Sequence, residues 1–133
     1  MSYYLSLFKA LDAAGVRYVV VGGLATVLHG YARFTADVDL VMEVFSFFDP
    51  LNPVVTVDLF VYEPVPFYEL VLRAKRMDIG GIRVPVCSID DLIGLKMKAA
   101  RPRDLDDIEH LREIQLRSSR WTDENFLLGR QEP

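Results

Sequence analysis

Apolar and polar positions alternate along this chain with periods that change from segment to segment. Tyr4, Leu7, Phe8 and Leu11 share one helical face, which predicts a helix over residues 3–14 with Gly15 at its C′ position. Val16–Val21 is a near-continuous apolar run, the pattern of a central strand covered on both faces. It ends at Gly22-Gly23. Leu24, Val27, Leu28 and Tyr31 then return to helical spacing, with Gly30 suited to the helix stop. From Asp37 to Met42 the pattern is that of a strand: Val38, Leu40 and Met42 fall on one side, Asp37 and Asp39 on the other. Val54–Tyr62 is rich in β-branched and aromatic residues and splits the same way. Val55, Val57, Leu59 and Val61 form an aliphatic face, and Asp58 lies on the opposite one.

Pro64 and Pro66 punctuate the chain before a short helix, Phe67–Ala74. Arg76–Ile79 and Ile82–Val86 flank Gly80-Gly81, a hairpin signal. Ser88-Ile89-Asp90-Asp91 has the form of a capping box with Asp in place of Glu or Gln. It opens a helix to about Ala100, with Leu92, Leu95 and Ala99 inward. Pro102 breaks that helix. A second helix is expected over about 104–117 with Leu105, Ile108 and Leu111 buried. Thr122 caps a last short turn through Leu128, and Gly129–Pro133 is a loose tail.

These elements predict an α/β (α+β) domain, a mixed sheet with helices mainly on one side. At 133 residues the chain fits a single domain, with a core at about 3–117 and a tail at 118–133. Apolar residues make up 51%, enough for a sizeable core. No apolar run reaches the roughly 18 residues of a membrane span, nothing at the N-terminus has the form of a signal peptide, and no membrane partner is expected. A lone cysteine, Cys87, excludes an internal disulfide framework and fits a reducing, cytoplasmic setting. The net charge of −4 argues against binding nucleic acid through a broad basic surface. A small nucleotide, or a structured RNA end held at one patch, stays compatible with it.

Candidate chemistry gathers at the second strand. Side chains two apart on a strand face the same way, with Cα atoms roughly 7 Å apart. Asp37 and Asp39 so placed repel each other unless a cation lies between them. Asp58 adds a third acid on the matching face of its strand, where Asp is disfavoured. The bland reading makes all three solvated strand acids. Gly22 and Gly23 admit close approach of an anion to the first backbone N–H groups of the following helix, or else form only a tight turn. Arg33 neutralises phosphate charge or pairs with a nearby acid, and Thr35 contacts a ligand or braces its loop. Lys96, Lys98, Arg101 and Arg103 read by themselves as solvated ion pairs against Asp104, Asp106 and Asp107. His29 and His110 lack metal-ligand spacing and read as structural. Trp121, with Phe126 and Leu127, is a packing tail or a partner contact.

The apolar strand, Gly22-Gly23, the run His29-Gly30, Arg33 and Thr35, and Asp37-Val38-Asp39 resemble the nucleotidyltransferase fold of the DNA polymerase β superfamily. The likeness is to its minimal members and to the AbiEii/AbiGii-type toxin–antitoxin nucleotidyltransferases. Residues 88–111 resemble the C-terminal helices of the same group, a likeness that implies Lys96 reaching a triphosphate with Arg101 near it, and the likeness thins after about Leu116. The resemblance implies metal-dependent transfer of a nucleoside monophosphate from an NTP such as ATP to a hydroxyl acceptor. It implies two Mg²⁺ ions, with Mn²⁺ as a substitute, held by Asp37, Asp39 and Asp58. It implies a nucleotide site of Gly22, Gly23, Arg33, Thr35 and Lys96. The implied acceptor is a tRNA or other RNA end, or a cognate toxin or antitoxin protein. A minimal form also suggests a homo-oligomer or a partner that supplies the missing wall. The alternative is a nucleotidyltransferase fold without turnover, acting as an antitoxin or binding module.

One spacing departs from the resembled pattern. Only Glu43–Pro53 separates the two acid-bearing strands. A hairpin centred on Leu51 would pair Asp58 with about Val44, which puts Asp39 roughly 16 Å away along a straight strand. Carboxylates sharing ions cannot be that distant. Either the chain bends sharply near Glu43, or the site is broken, or a segment is absent between Val41 and Val44. The last is favoured, because the resembled proteins often carry Gly-Met-x-Val just before such a strand.

Overall fold

The computed structural model describes residues 2–35, 37–43, 45–49, 52–59 and 65–129, without the side chains of 2–3, 45–49, 52–59 and 122–129. The elements are α1 (Ser2–Ala13), β1 (Tyr18–Val21), α2 (Gly22–Leu28), β2 (Asp39–Met42), β3 (Phe45–Asp49), β4 (Asn52–Leu59), α3 (Phe67–Arg73), β5 (Lys75–Ile79), β6 (Ile82–Val86), α4 (Ile89–Ala99) and α5 (Pro102–Gly129). Together they form an α+β architecture.

A four-stranded mixed sheet runs in the order β2-β1-β6-β5. β1 pairs antiparallel with β2 and parallel with β6, and β5 pairs antiparallel with β6. All four residues of β1 are buried, as its apolar run predicts. Gly80 and Gly81 take positive φ in the β5–β6 turn, where the Asp78 carboxylate accepts from the Gly81 N–H at 2.9 Å. The core joins Phe8 of α1, Val19 and Val20 of β1, Leu70 of α3, Val84 and Val86 of β6, Leu92 of α4 and Leu111 of α5, each 0% exposed. Burying a large apolar side chain contributes roughly 1.5–3 kcal/mol. Phe8 stacks on Tyr18 with ring centroids 5.7 Å apart. Cys87 is buried in the same core, and burial pushes its thiol up to about 12, so it stays protonated.

β3 and β4 form a separate two-stranded sheet. Its register pairs Asp58 with Ser46 and Asp49 with Asn52, two residues from the expected partner Val44. Val44 itself, and with it the junction between β2 and β3, lies outside the described residues.

The C-terminal half departs from expectation in three places. Ser88 caps α4 as predicted, its Oγ accepting from the Asp91 N–H at 3.1 Å. Ala99, however, is exposed, because α4 ends there and Ala100 turns left-handed at φ 49°. Leu105 is 58% exposed, while Ile108 and Leu111 are buried. α5 does not stop near residue 117: its 28 residues run unbroken to Gly129, about 42 Å at the usual rise. No helix among the described residues is long and apolar enough to cross a membrane.

Candidate nucleotide site

β1 delivers the chain to Gly22 at the edge of a cavity of about 380 Å³, a size suited to a small-molecule ligand. Gly22, Gly23, Arg33, Thr35, Asp37, Asp39 and Lys96 all line it. Seven of the eight predicted site residues are therefore brought together. The eighth, Asp58, stands on β4 in the separate sheet, and its side chain lies outside the described residues.

The local geometry explains the two glycines. Gly22 has φ +68°, and a Cβ there would overlap the Asp39 carboxylate. The β1–β2 register sets Asp39 opposite Val21, one residue before this point. A glycine is thus required both by the backbone and by the acid beside it. A Cβ on Gly23 would meet Thr35 Oγ1 at 2.8 Å and Arg33 Nη2 at 3.0 Å. So the Gly pair is packed closely by the segment that carries the acids.

Asp39 opens β2, but Asp37 lies in the loop before it and not on the strand. The two carboxylates are both exposed and both border the cavity. The loop is braced: the Thr35 hydroxyl donates to the Asp37 carbonyl at 3.4 Å, and the Tyr4 hydroxyl donates to the Thr35 carbonyl at 3.1 Å. Phe34, between them, is 87% exposed at the rim. Among the described residues no three His, Cys, Asp or Glu side chains converge as a metal cage. Asp37 and Asp39 form a pair of carboxylates, the donor type that suits Mg²⁺, which keeps several waters.

The opposite wall is an ion network, not the solvated set of pairs that the charge pattern suggests. Arg33 donates two hydrogen bonds to Asp107, Nε to Oδ1 and Nη2 to Oδ2, each 2.8 Å. Lys96 Nζ donates to Asp107 Oδ2 at 2.8 Å and lies 3.7 Å from Asp104 Oδ1. Arg101 Nε donates to Asp104 Oδ2 at 2.7 Å. The side chains of Lys96, Asp104 and Asp107 are 6%, 1% and 1% exposed. Burial pushes the Asp104 carboxyl up, but hydrogen bonds from the Arg101 guanidinium and backbone N–H outweigh it and hold the group below the usual range. The Arg101 guanidinium is raised, mainly by its bond to Asp104, with Asp39 adding a smaller contribution. From the charge pattern alone Asp104 and Asp107 read only as solvated partners. Their signal was the stripe Asp104, Asp107, Ile108, Leu111, which places two acids at core positions of a helix.

The histidines are structural. His29 Nε2 donates to the Cys87 carbonyl at 2.7 Å, joining the end of α2 to the end of β6. His110 Nδ1 donates to the Asp106 carbonyl at 2.9 Å and its ring stacks on Tyr31, whose hydroxyl donates to Asp106. Tyr31 itself falls beyond the end of α2, since the helix stops at Leu28.

No curated protein matches the chain. Every cavity-lining residue lies within residues 5–117, the span matched by the model of a family described as nucleotidyltransferase of unknown function (DUF6036), and the chain belongs to that family.

Proposed function

We propose that this domain transfers a nucleoside monophosphate from an NTP to a hydroxyl acceptor, with pyrophosphate leaving. The observation that carries the reading is that one cavity gathers the glycine turn, the paired acids and the cationic wall. Gly22 and Gly23 let Asp39, Thr35 and Arg33 pack against the turn at the cavity edge, which holds the acids and a cation beside the phosphate path. Arg33, Lys96 and Arg101 supply positive charge on the other side. Mg²⁺, with Mn²⁺ as substitute, would be held by Asp37 and Asp39, with Asp58 as third ligand if the chain bends between β2 and β3 to bring β4 back to the cavity; when bound it would neutralise the triphosphate and lower the pKa of the attacking hydroxyl.

Charge balance supports metal dependence. Arg33, Lys96, Arg101 and Arg103 are offset by Asp37, Asp39, Asp104 and Asp107. Such a site has no surplus positive charge to draw in a triphosphate, so the anion must bring cations with it. The acceptor is an RNA end, tRNA included, or a partner protein, in a toxin–antitoxin setting of the AbiEii/AbiGii type. The partner, or a second copy of the chain, completes the acceptor side.

Calorimetric titration with ATP and each other NTP, with and without Mg²⁺, tests this. Binding should require Mg²⁺ and vanish in the Asp37→Ala/Asp39→Ala double variant. Absence of any NTP binding at millimolar concentration sinks the proposal. Labelled NTP with total RNA and candidate partner proteins then identifies the acceptor by the band that gains label.

A second reading has an observation of its own. β4, which bears Asp58, pairs outside the sheet that bears Asp39. That arrangement suits a binding module without turnover, acting as an antitoxin. Under the enzyme reading, Asp58→Asn lowers turnover more than tenfold, about 1.4 kcal/mol of barrier, with NTP binding retained. Under the module reading no label is transferred by either protein.

A further inference from the structure

The cavity is divided by chemistry as well as by shape. Its charged groups come from the Arg33–Asp39 segment, Lys96 and the start of α5. Apart from Phe34 at the rim, the side chains of the remaining wall are aliphatic, chief among them Leu40 and Val41 of β2, Val65, Leu70 of α3, and Leu92 and Leu95 of α4. α4 spans both parts, since Leu92, Leu95, Lys96 and Ala99 all face the cavity at i, i+3, i+4 and i+7. Leu92 and Ala99 are seven residues apart, about 10 Å along the helix. Among the described lining residues there is no Asn, Gln, Ser or His, and Thr35 is the one neutral polar side chain. An uncharged, flat group fits the aliphatic part, and a phosphate does not: burying unpaired charge there is costly.

We propose that the aliphatic compartment between β2 and α4 holds the nucleobase, with the triphosphate directed past Lys96 toward Gly23. This rests on the nucleotidyltransferase reading above and adds where the base lies and how it is chosen. With no amide or hydroxyl side chain available at the aliphatic wall, base edges go unread there and selection works by shape. Apolar pockets reject a near-isosteric ligand by only about a hundredfold, far less than sites built from hydrogen bonds. The two purine nucleoside triphosphates therefore bind within roughly a hundredfold of each other, and so do the two pyrimidine ones.

The test compares ATP with inorganic tripolyphosphate, both with Mg²⁺, by calorimetry on wild type and Leu95→Trp. Leu95 is half-buried at the open cavity, so an indole there fills the compartment and leaves the phosphate groups in place. The ratio of ATP to tripolyphosphate affinity should fall at least tenfold, with tripolyphosphate affinity unchanged. Val65→Trp, at another half-buried lining position, gives the same ratio test should Leu95→Trp fail to fold. An unchanged or increased ratio, or equal loss of both ligands, overturns the assignment. If wild type binds neither ligand, the nucleotide-transfer reading fails, an outcome distinct from failure of the base site.

Discussion

The two acid pairs of this domain stand in opposite environments. Asp37 and Asp39 are exposed, and among the described residues no ion pair reaches either carboxylate. Asp104 and Asp107 are buried and bound on all sides by Arg33, Lys96 and Arg101. Both pairs border one cavity or the cations that line it. The difference separates two roles. The buried acids hold cations of the chain in place, and removing one leaves a desolvated charge. The exposed acids form no ion pair among the described residues, Asp39 acting on Arg101 only at a distance, so their charge is available to a cation from solution. Stability should follow the first pair and metal-dependent binding the second.

The largest expected effect on stability is at Asp107. Asp107→Asn keeps the shape but strips the shared anion from Arg33 and Lys96. Breaking a buried pair by removing one partner costs about 3–5 kcal/mol. Asp104 stays 3.7 Å from Lys96, so a loss of about 3 kcal/mol is expected in urea unfolding. Next is Gly22→Ala. The left-handed backbone costs a non-glycine residue about 1–2 kcal/mol, and the added Cβ displaces the Asp39 carboxylate. This variant should lose that much stability together with Mg²⁺-dependent NTP binding. Asp37→Asn and Asp39→Asn come third. At exposed positions each should alter stability by no more than about 0.5 kcal/mol, while NTP binding in Mg²⁺ drops sharply. If Asp37→Asn destabilises as much as Asp107→Asn, the contrast between the pairs fails.

The smallest effect concerns the chain's two histidines. Burial lowers the His29 pKa below 6.5, while the His110 pKa is raised, first by its bond to the Asp106 carbonyl. An NMR titration should show two imidazole signals with midpoints on either side of 6.5. The linked contributions have opposite sign. His29 adds stability above pH 6.5 that is lost as pH falls toward its folded pKa. His110 adds stability below 6.5 that is lost as pH rises through its folded pKa. His29→Asn should therefore lessen the loss of stability on acidification.

Local signals carried much of the fold. The periodicity of α1, the apolar run of β1, the Gly80-Gly81 turn and the Ser88 cap are all properties of a few adjacent residues. So is the Gly22-Gly23 turn with Asp39 across from it. What escaped were features decided by distant partners. Leu105 sits beside Ile108 and Leu111 in the residue pattern, yet the stripe that faces inward contains Asp104 and Asp107. Two acids look solvated until Arg33 and Lys96 arrive from other elements to satisfy them. Asp37 alternates correctly with Asp39, but the strand starts only where β1 offers backbone partners. Lys96 lines the cavity and is also the buried centre of the network, a second role that its own stretch of sequence does not show.

The Arg33–Asp107 pair spans 74 residues of chain. Local contacts form early in folding, and contacts across long loops form late because closing the loop costs entropy first. As the chain leaves the ribosome, the glycine turn and both cavity acids emerge long before α5 can fold. Until then Arg33 has no anchor and Lys96 has no buried anion, although β1 already has its parallel neighbour β6. A nascent domain thus displays Asp37 and Asp39 well before the cationic wall of the cavity can form, and assembly of the cavity waits for α5.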